Sequence, residues 1–413
     1  MNQRRLGNEG EAGAGLAARA RVQQCKVLAR DNARLTRELD RIEDSKGVGA
    51  KYYAKLDELT NARQELGEAL TALLRGRDRD SLAALRQQLA SEPDGLRAVE
   101  QAIGDRLAQH VDDAQVRHEL FVAPVLLPQA YRSSELSADI RAALEDAWRR
   151  LAENRDYADD AVKVEVAKSL YPASNVYDRD EVDLFWWNAS SAHDEPRPDA
   201  DDSEIEHWDG TTMALRYLVI RVTTAPEFIG DGEEMAADDL RPYLPNFADL
   251  PKPYLTWSAD ARKALAKLTR GPINVGFPDD PLAAKTSGRY FTRFWQASYA
   301  LNAQLKALDA EGDAAEVAQS LHNLAPAGSP AKARLVARFS LLDDDGDLLA
   351  GHSVAIDELF TLEVAQPLAA DLALALDVDE HSVLPGVHSL PDDSPRDPLY
   401  HSRNGWRRLS DVE

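Results

Sequence analysis

Apolar residues recur every three and four positions from about Leu16 to His110, in a background rich in Ala, Leu, Arg, Glu and Gln. That period predicts helices, with breaks at "DSKGVGA" and "SEPDG" where Gly and Pro gather. Within "CKVLARDNARLTRELDRI" a heptad places Cys25, Asn32 and Leu39 at one seam position and Leu28, Leu35 and Ile42 at the other. A second register follows the Gly47/Gly49 break: Leu56, Arg63 and Leu70 alternate with Leu59, Leu66 and Leu73. Two helices of similar length around a glycine turn predict an antiparallel coiled-coil-like hairpin; a continuous oligomeric stalk is the alternative. A further helix is expected from Ser81 as N-cap, and another through Leu96, Val99, Ile103 and Leu107.

The pattern changes at "ELFVAPVLLPQAY", where Pro124 and Pro128 forbid a regular helix and predict a buried edge strand. Downstream, 137–154 reads as a Ser137-capped helix, while "VDLFWWN" and "MALRYLVIRV" read as strands around the polar stretch 190–210. "SADARKALAKL" at 258–268 resembles a second Ser-capped helix, "PINVGF" is a short strand, and 288–308 is a core helix carrying Phe291, Trp295 and Tyr299. "KARLVARFSLLDDDGDLLAGHSVAI" predicts a β-hairpin turning at Asp345-Gly346, and 357–376 is again helical. The Pro-rich end from His381 is expected to be irregular, held by Tyr400 and Trp406.

The fold class is therefore α+β: a helical hairpin followed by an acidic mixed α/β body of two related halves. The expected divisions are a flexible 1–15, a helical 16–115, α+β units at 116–255 and 256–380, and a tail at 381–413.

Charge sharpens that division. Residues 1–90 hold 17 Lys and Arg against 13 Asp and Glu, whereas the remainder holds 31 against 58. A body so acidic repels phosphate and makes direct nucleic-acid binding a poor reading. A zipper-type DNA reader built on Asn32 with Arg19, Arg21, Lys26 and Arg30 has too few heptads and too sparse a basic region. No apolar run approaches the roughly 20 residues of a membrane helix, and no signal-peptide pattern opens the chain, so the expected location is the cytoplasm. The single cysteine, Cys25, fits a reducing compartment and, at a helix seam, an inert thiol.

Motifs for nucleotide binding, serine hydrolysis and zinc proteolysis are missing, and "DDDGD" at 343–347 fails the ligand pattern of a calcium loop because Leu341 falls first. No cofactor is implied. The one dense gathering of His and carboxylates is the acidic stretch with His193, Asp194, Glu195 and His207, a candidate site for a metal-dependent hydrolase. Its composition also fits a solvated loop. The aromatics of "DLFWWNASSAHDE" then read as core rather than as an active-site wall. The leading expectation is a non-catalytic interaction or assembly subunit that binds a protein partner, or itself, through Leu28, Asn32, Leu35, Leu39, Leu59 and Leu66 of the arm. That arm is expected to unfold independently of the body's aromatic core.

Overall fold

The computed structural model describes residues 3–112, 116–129, 135–152, 162–190, 196, 204–206, 212–224, 252–310, 312–324, 334–390, 393–394 and 396–412. With 53% helix and 27% strand, in an N-terminal helical region followed by a mixed helix and sheet body, the class is α+β. Among the described residues no helix is long and apolar enough to cross a membrane.

Four helices open the chain: α1 (Gln3–Lys46), α2 (Ala50–Arg75), α3 (Arg79–Leu89) and α4 (Pro93–Ala108). α1 and α2 form the expected antiparallel hairpin, whose turn uses Gly47 at φ +66°, a conformation glycine adopts without strain. The cap of α3 lies three residues before the expected one, because Asp78 accepts from both the backbone N–H (3.1 Å) and the hydroxyl (2.7 Å) of Ser81.

The first sheet is centred on two long antiparallel strands, β2 (Arg117–Pro128) and β6 (Thr212–Thr224), in continuous register from Arg117↔Thr224 to Pro128↔Met213. β1 (Gln109–Val111) and β7 (Asn274–Val275) flank β2, while β3 (Val162–Val166), β4 (Tyr171–Pro172) and β5 (Glu204–Glu206) flank β6. The proline-bearing strand is therefore interior, not an edge. Its prolines are accommodated opposite glycines: a Cβ on Gly276 would meet the Pro124 ring at 2.5 Å, and one on Gly271 the Pro128 ring at 2.4 Å.

Both faces of this sheet are covered, which is why β2 and β6 read as apolar runs rather than alternating strands. Leu120, Val122 and Leu126 turn to the N-terminal helices; Ala123, Val125 and Leu127 turn to α5 (Ala138–Ala152) and α8 (Lys252–Leu265). α8 begins six residues before Ser258, whose hydroxyl donates to the Val275 carbonyl instead of capping a helix. After the short α6 (Ser174–Tyr177), the expected strand "VDLFWWN" is a helix, α7 (Glu181–Ser190). Asp180 accepts from the Asp183 N–H at its start, and the buried Asn188 amide donates to the Leu107 carbonyl near its end. These polar anchors outweigh a short apolar run that periodicity alone cannot assign.

A 28-residue helix, α9 (Pro281–Leu308), joins the two sheets. Phe291 and Tyr299 enter the first core, whereas Tyr290, Phe294 and Leu301 enter the second, so its aromatic belt serves both. The second sheet runs β10–β9–β8–β11, with β8 (Glu316–Leu324), β9 (Arg334–Leu342) and β10 (Leu348–Ala355) antiparallel and β11 (Glu380–His388) parallel to β8. α10 (Leu362–Ala365) and α11 (Leu368–Leu376) complete the expected helical stretch, and α11 packs with α9 in the second core. The expected β9–β10 hairpin is present, with Gly346 at φ +81° in its turn.

The C-terminal stretch is not irregular. β11 keeps its pairing across a register break between Val383 and Val387 that accommodates Pro385, and β12 (Leu399–Ser402) and β13 (Gly405–Arg408) form a second hairpin on the opposite sheet face. Nor is the helical region separate from the body. One buried cluster runs from Cys25 through Leu70, Leu85 and Ile103 to Leu120, Tyr217 and Phe291.

Candidate functional site

Three places carry sequence signals, and two of them have their geometry among the described residues. The first is the arm. Of the six residues singled out there, Asn32, Leu35, Leu39, Leu59 and Leu66 are buried where α1 meets α2, and Leu28 is half-buried against the large core. The Asn32 amide donates to the Leu28 carbonyl of its own helix and to the Ala62 carbonyl of α2, both at 2.9 Å. An amide N–H that reaches its acceptor across the seam in one alignment favours that register of the two helices. Of the expected seam residues only Arg63 is exposed.

The arm changes character along its length. Near its base α4 lies against both helices, with the Arg30 guanidinium bidentate to Glu92 at 2.5 and 2.6 Å and Arg37 3.8 Å from Asp94. Leu35, Leu39 and Leu59 pack with Tyr52, Leu56 and Ala62, a cluster drawn from α1 and α2 alone. Val48 and Tyr53 at the turn are more than half exposed. At the boundary sits a groove of about 130 Å³ lined by Asn32 and by Arg37, Arg63, Arg97, Asp40 and Asp94. Cys25 lies under the base, wholly buried, with its thiol pushed up to about 11 by burial. It should stay unmodified by a thiol reagent in the native protein and react stoichiometrically in denaturant; rapid native labelling would show that α1 lifts off.

The second place is the metal candidate. His193, Asp194, Glu195 and His207 all lie outside the described residues. Among the described residues no group of three His, Cys, Asp or Glu side chains is placed to hold a metal ion.

The third is a polar cluster between the second sheet and the C-terminal hairpin. Alternate residues of β8 and β9 put Ser320, His322, Arg338 and Ser340 on one face, all fully buried. The Ser320 hydroxyl is 2.9 Å from His322 Nε2, and His322 Nδ1 is 3.7 Å from Asp393. The order resembles a nucleophile, base and orienting carboxylate, but the chemistry does not follow. Asp393 is held by Arg338 Nη1, 2.9 Å from each oxygen, and by the Leu399 N–H, while His322 lies beyond hydrogen-bond reach of it. Trp406 closes edge-on over the imidazole at 5.1 Å, so no substrate meets the serine in this arrangement. Burial, then the Arg338 charge, push His322 down to about 4. The cluster is a latch for the C-terminal segment. Its signal was present as the alternations Ser-x-His and Arg-x-Ser, but nothing local identifies Asp393 as the partner.

The aromatic stretch 183–190 divides its work. Leu184 and Trp187 are core; the Trp186 indole donates to the Leu74 carbonyl at 3.2 Å, pinning α7 to the end of α2. Comparison of the chain with family models, curated proteins and solved structures returned no match.

Proposed function

We propose that this protein is a non-catalytic interaction or assembly subunit whose α1–α2 arm engages a protein partner or a second copy of the chain. The observation that carries the reading is the distal cluster Leu35, Leu39, Leu59, Tyr52, Leu56 and Ala62, whose apolar members come from α1 and α2 alone. The hairpin is welded at its base to the main core and keyed by Asn32, so its tip, about 10–15 residues of each helix and roughly 15–20 Å long, is a supported projection. An exposed Tyr and Val at such a tip, with an Arg/Asp-lined groove at its root, have the apolar centre and polar rim of an association surface. The basic balance of residues 1–90 against the acidic remainder favours an acidic counterpart and a salt-sensitive association.

The test keeps the base intact. Replacing residues 40–56 by a short Gly-Asn-Gly turn, and separately Tyr53→Ser, is expected to weaken association by about tenfold or more, read by light-scattering mass and co-elution of the native partner. The near-ultraviolet dichroism of the body should be unchanged. A photo-crosslinker at Tyr53 should yield a product heavier than the 45.6 kDa chain. Unchanged mass and partner binding in the shortened protein would sink the reading.

A further inference from the structure

The groove at the root of the arm's tip, where α1, α2 and α4 meet, is mixed in sign. Arg37 of α1, Arg63 of α2 and Arg97 of α4 line it, against Asp40 of α1 and Asp94 and Asp105 of α4. Asp40 and Arg63 are both exposed, and neither has a partner among the described residues. Arg97, its side chain 79% exposed, stands 3.9 Å from Asp94 of its own helix. The Arg37 Nε donates to the Ala33 carbonyl, and the same nitrogen stands 3.8 Å from Asp94. The three guanidiniums are therefore weakly engaged within the chain and reach solvent.

The two sides of the turn also differ in sign. Residues 38–46, the last nine of α1, hold four carboxylates against two cations, whereas residues 50–56, the first seven of α2, hold Lys51 and Lys55 and no carboxylate. Within one hairpin this complement is partly used, since Lys55 lies 3.1 Å from Glu38 and 2.6 Å from Glu58. Glu43, Asp44 and Lys51 are exposed and have no partner among the described residues. A surface of three cations and three carboxylates selects neither a purely acidic nor a purely basic partner, but one that presents the same pattern reversed. A two-fold axis supplies that pattern from a second copy. Two copies of a chain of net charge −23 repel through their bodies, whereas residues 36–63 hold six cations and six carboxylates, so approach is least opposed at the arm. The acidic counterpart that the arm favours is then the carboxylate-rich end of α1 in the other copy.

We propose that two copies of this chain join groove to groove about a two-fold axis, Asp40 of each copy pairing with Arg63 of the other. The inference rests on the reading of the arm as an association surface and names its occupant. A face two helices or about 20 Å wide and about 20 Å long covers roughly 400 Å² per copy, about half of a standard interface, so the dimer is reversible and of micromolar affinity.

Sedimentation equilibrium of the full-length protein, from low micromolar to several hundred micromolar at low salt, tests this directly. The mass is expected to rise from 45.6 kDa towards twice that value, and to rise less at high salt. Asp40→Arg and Arg63→Asp should each weaken self-association by about tenfold or more, because each sets two like-charged pairs across the axis. Mixed in equal amounts, the two variants should associate again, since both cross-pairs are then opposite in sign. The double variant Asp40→Arg/Arg63→Asp should do so alone. A folding lesion in either variant gives no such recovery. A monomer mass at every concentration, single variants that associate like the wild type, or a mixture that fails to recover would overturn the proposal. Monomer mass combined with loss of a different protein on shortening the tip would refute this inference and leave the arm reading standing.

Discussion

Arg338→Met is expected to lower the stability of the C-terminal half by about 3–5 kcal/mol, the cost of leaving a buried charge without its partner. The arginine is wholly buried, and one of its nitrogens donates to both Asp393 oxygens and, at 2.7 Å, to the Leu399 carbonyl. Its guanidinium also lies 5.8 Å from the Tyr400 ring centre. Methionine fills much of the space but leaves a carboxylate whose side chain is 5% exposed. The expected result is early proteolysis between 390 and 412 and a weakened near-ultraviolet signal from Trp406, with the N-terminal helices unaffected. The double variant Arg338→Met/Asp393→Leu should recover more than half of the loss, because removing both charges also removes the desolvation cost. A single-variant loss below about 1 kcal/mol would show that apolar packing by Tyr400 holds the hairpin without the latch.

What could be read from the sequence follows a physical division. Features set by local spacing were legible: the hairpin at Gly47, the Asn32 seam, the β9–β10 turn and the aromatic helix α9 all rest on periods or turn chemistry within about twenty residues. Features set by distant partners were not. The run "VDLFWWN" suits a strand or a helix equally until Asn188 finds the Leu107 carbonyl, 81 residues upstream. β2 looked like an edge because the glycines that receive its prolines lie about 150 residues away. The tail looked irregular because its prolines are local, whereas the parallel partner of β11 is 64 to 66 residues earlier.

The same division governs the candidate sites. The leucines of the arm announced themselves by heptad spacing, but spacing says nothing of α4, which covers the base and leaves the tip. The covalent continuity of helices and body hid their common core. Polar replacement of Leu66 or Leu70 should therefore disturb near-ultraviolet signals throughout the first sheet, while shortening the tip should not.

Acid should open this protein at its second sheet before its carboxylates alone would demand it. Two histidines there are pushed down to about 4: His322, by burial and the Arg338 charge, and His352 of β10, by burial and the neighbouring Arg293. In the unfolded chain each titrates near its ordinary value of about 6.5. Between pH 6.5 and 4 the unfolded state therefore binds protons that the folded state refuses, and stability falls as pH falls. The contribution is fully present above about pH 6.5 and is lost progressively down to about pH 4. Each histidine adds a slope of about 1.4 kcal/mol per pH unit, up to about 3 kcal/mol apiece, on top of the carboxylate term common to every variant. His322 also faces Asp393, His388 and Trp406, and only Asp393 favours its protonation. Urea unfolding measured at intervals from pH 6.5 to 4.5 should give a wild-type slope steeper by about 1.4 kcal/mol per unit than that of His322→Gln, and by the same amount again for His322→Gln/His352→Gln. Absolute stability shifts in these variants do not enter the comparison, because the slope counts protons and not packing. Parallel slopes for all three proteins would mean that both imidazoles already reach water in the native state, and that the C-terminal hairpin is not the closed lid its contacts with Trp406 and Arg338 describe.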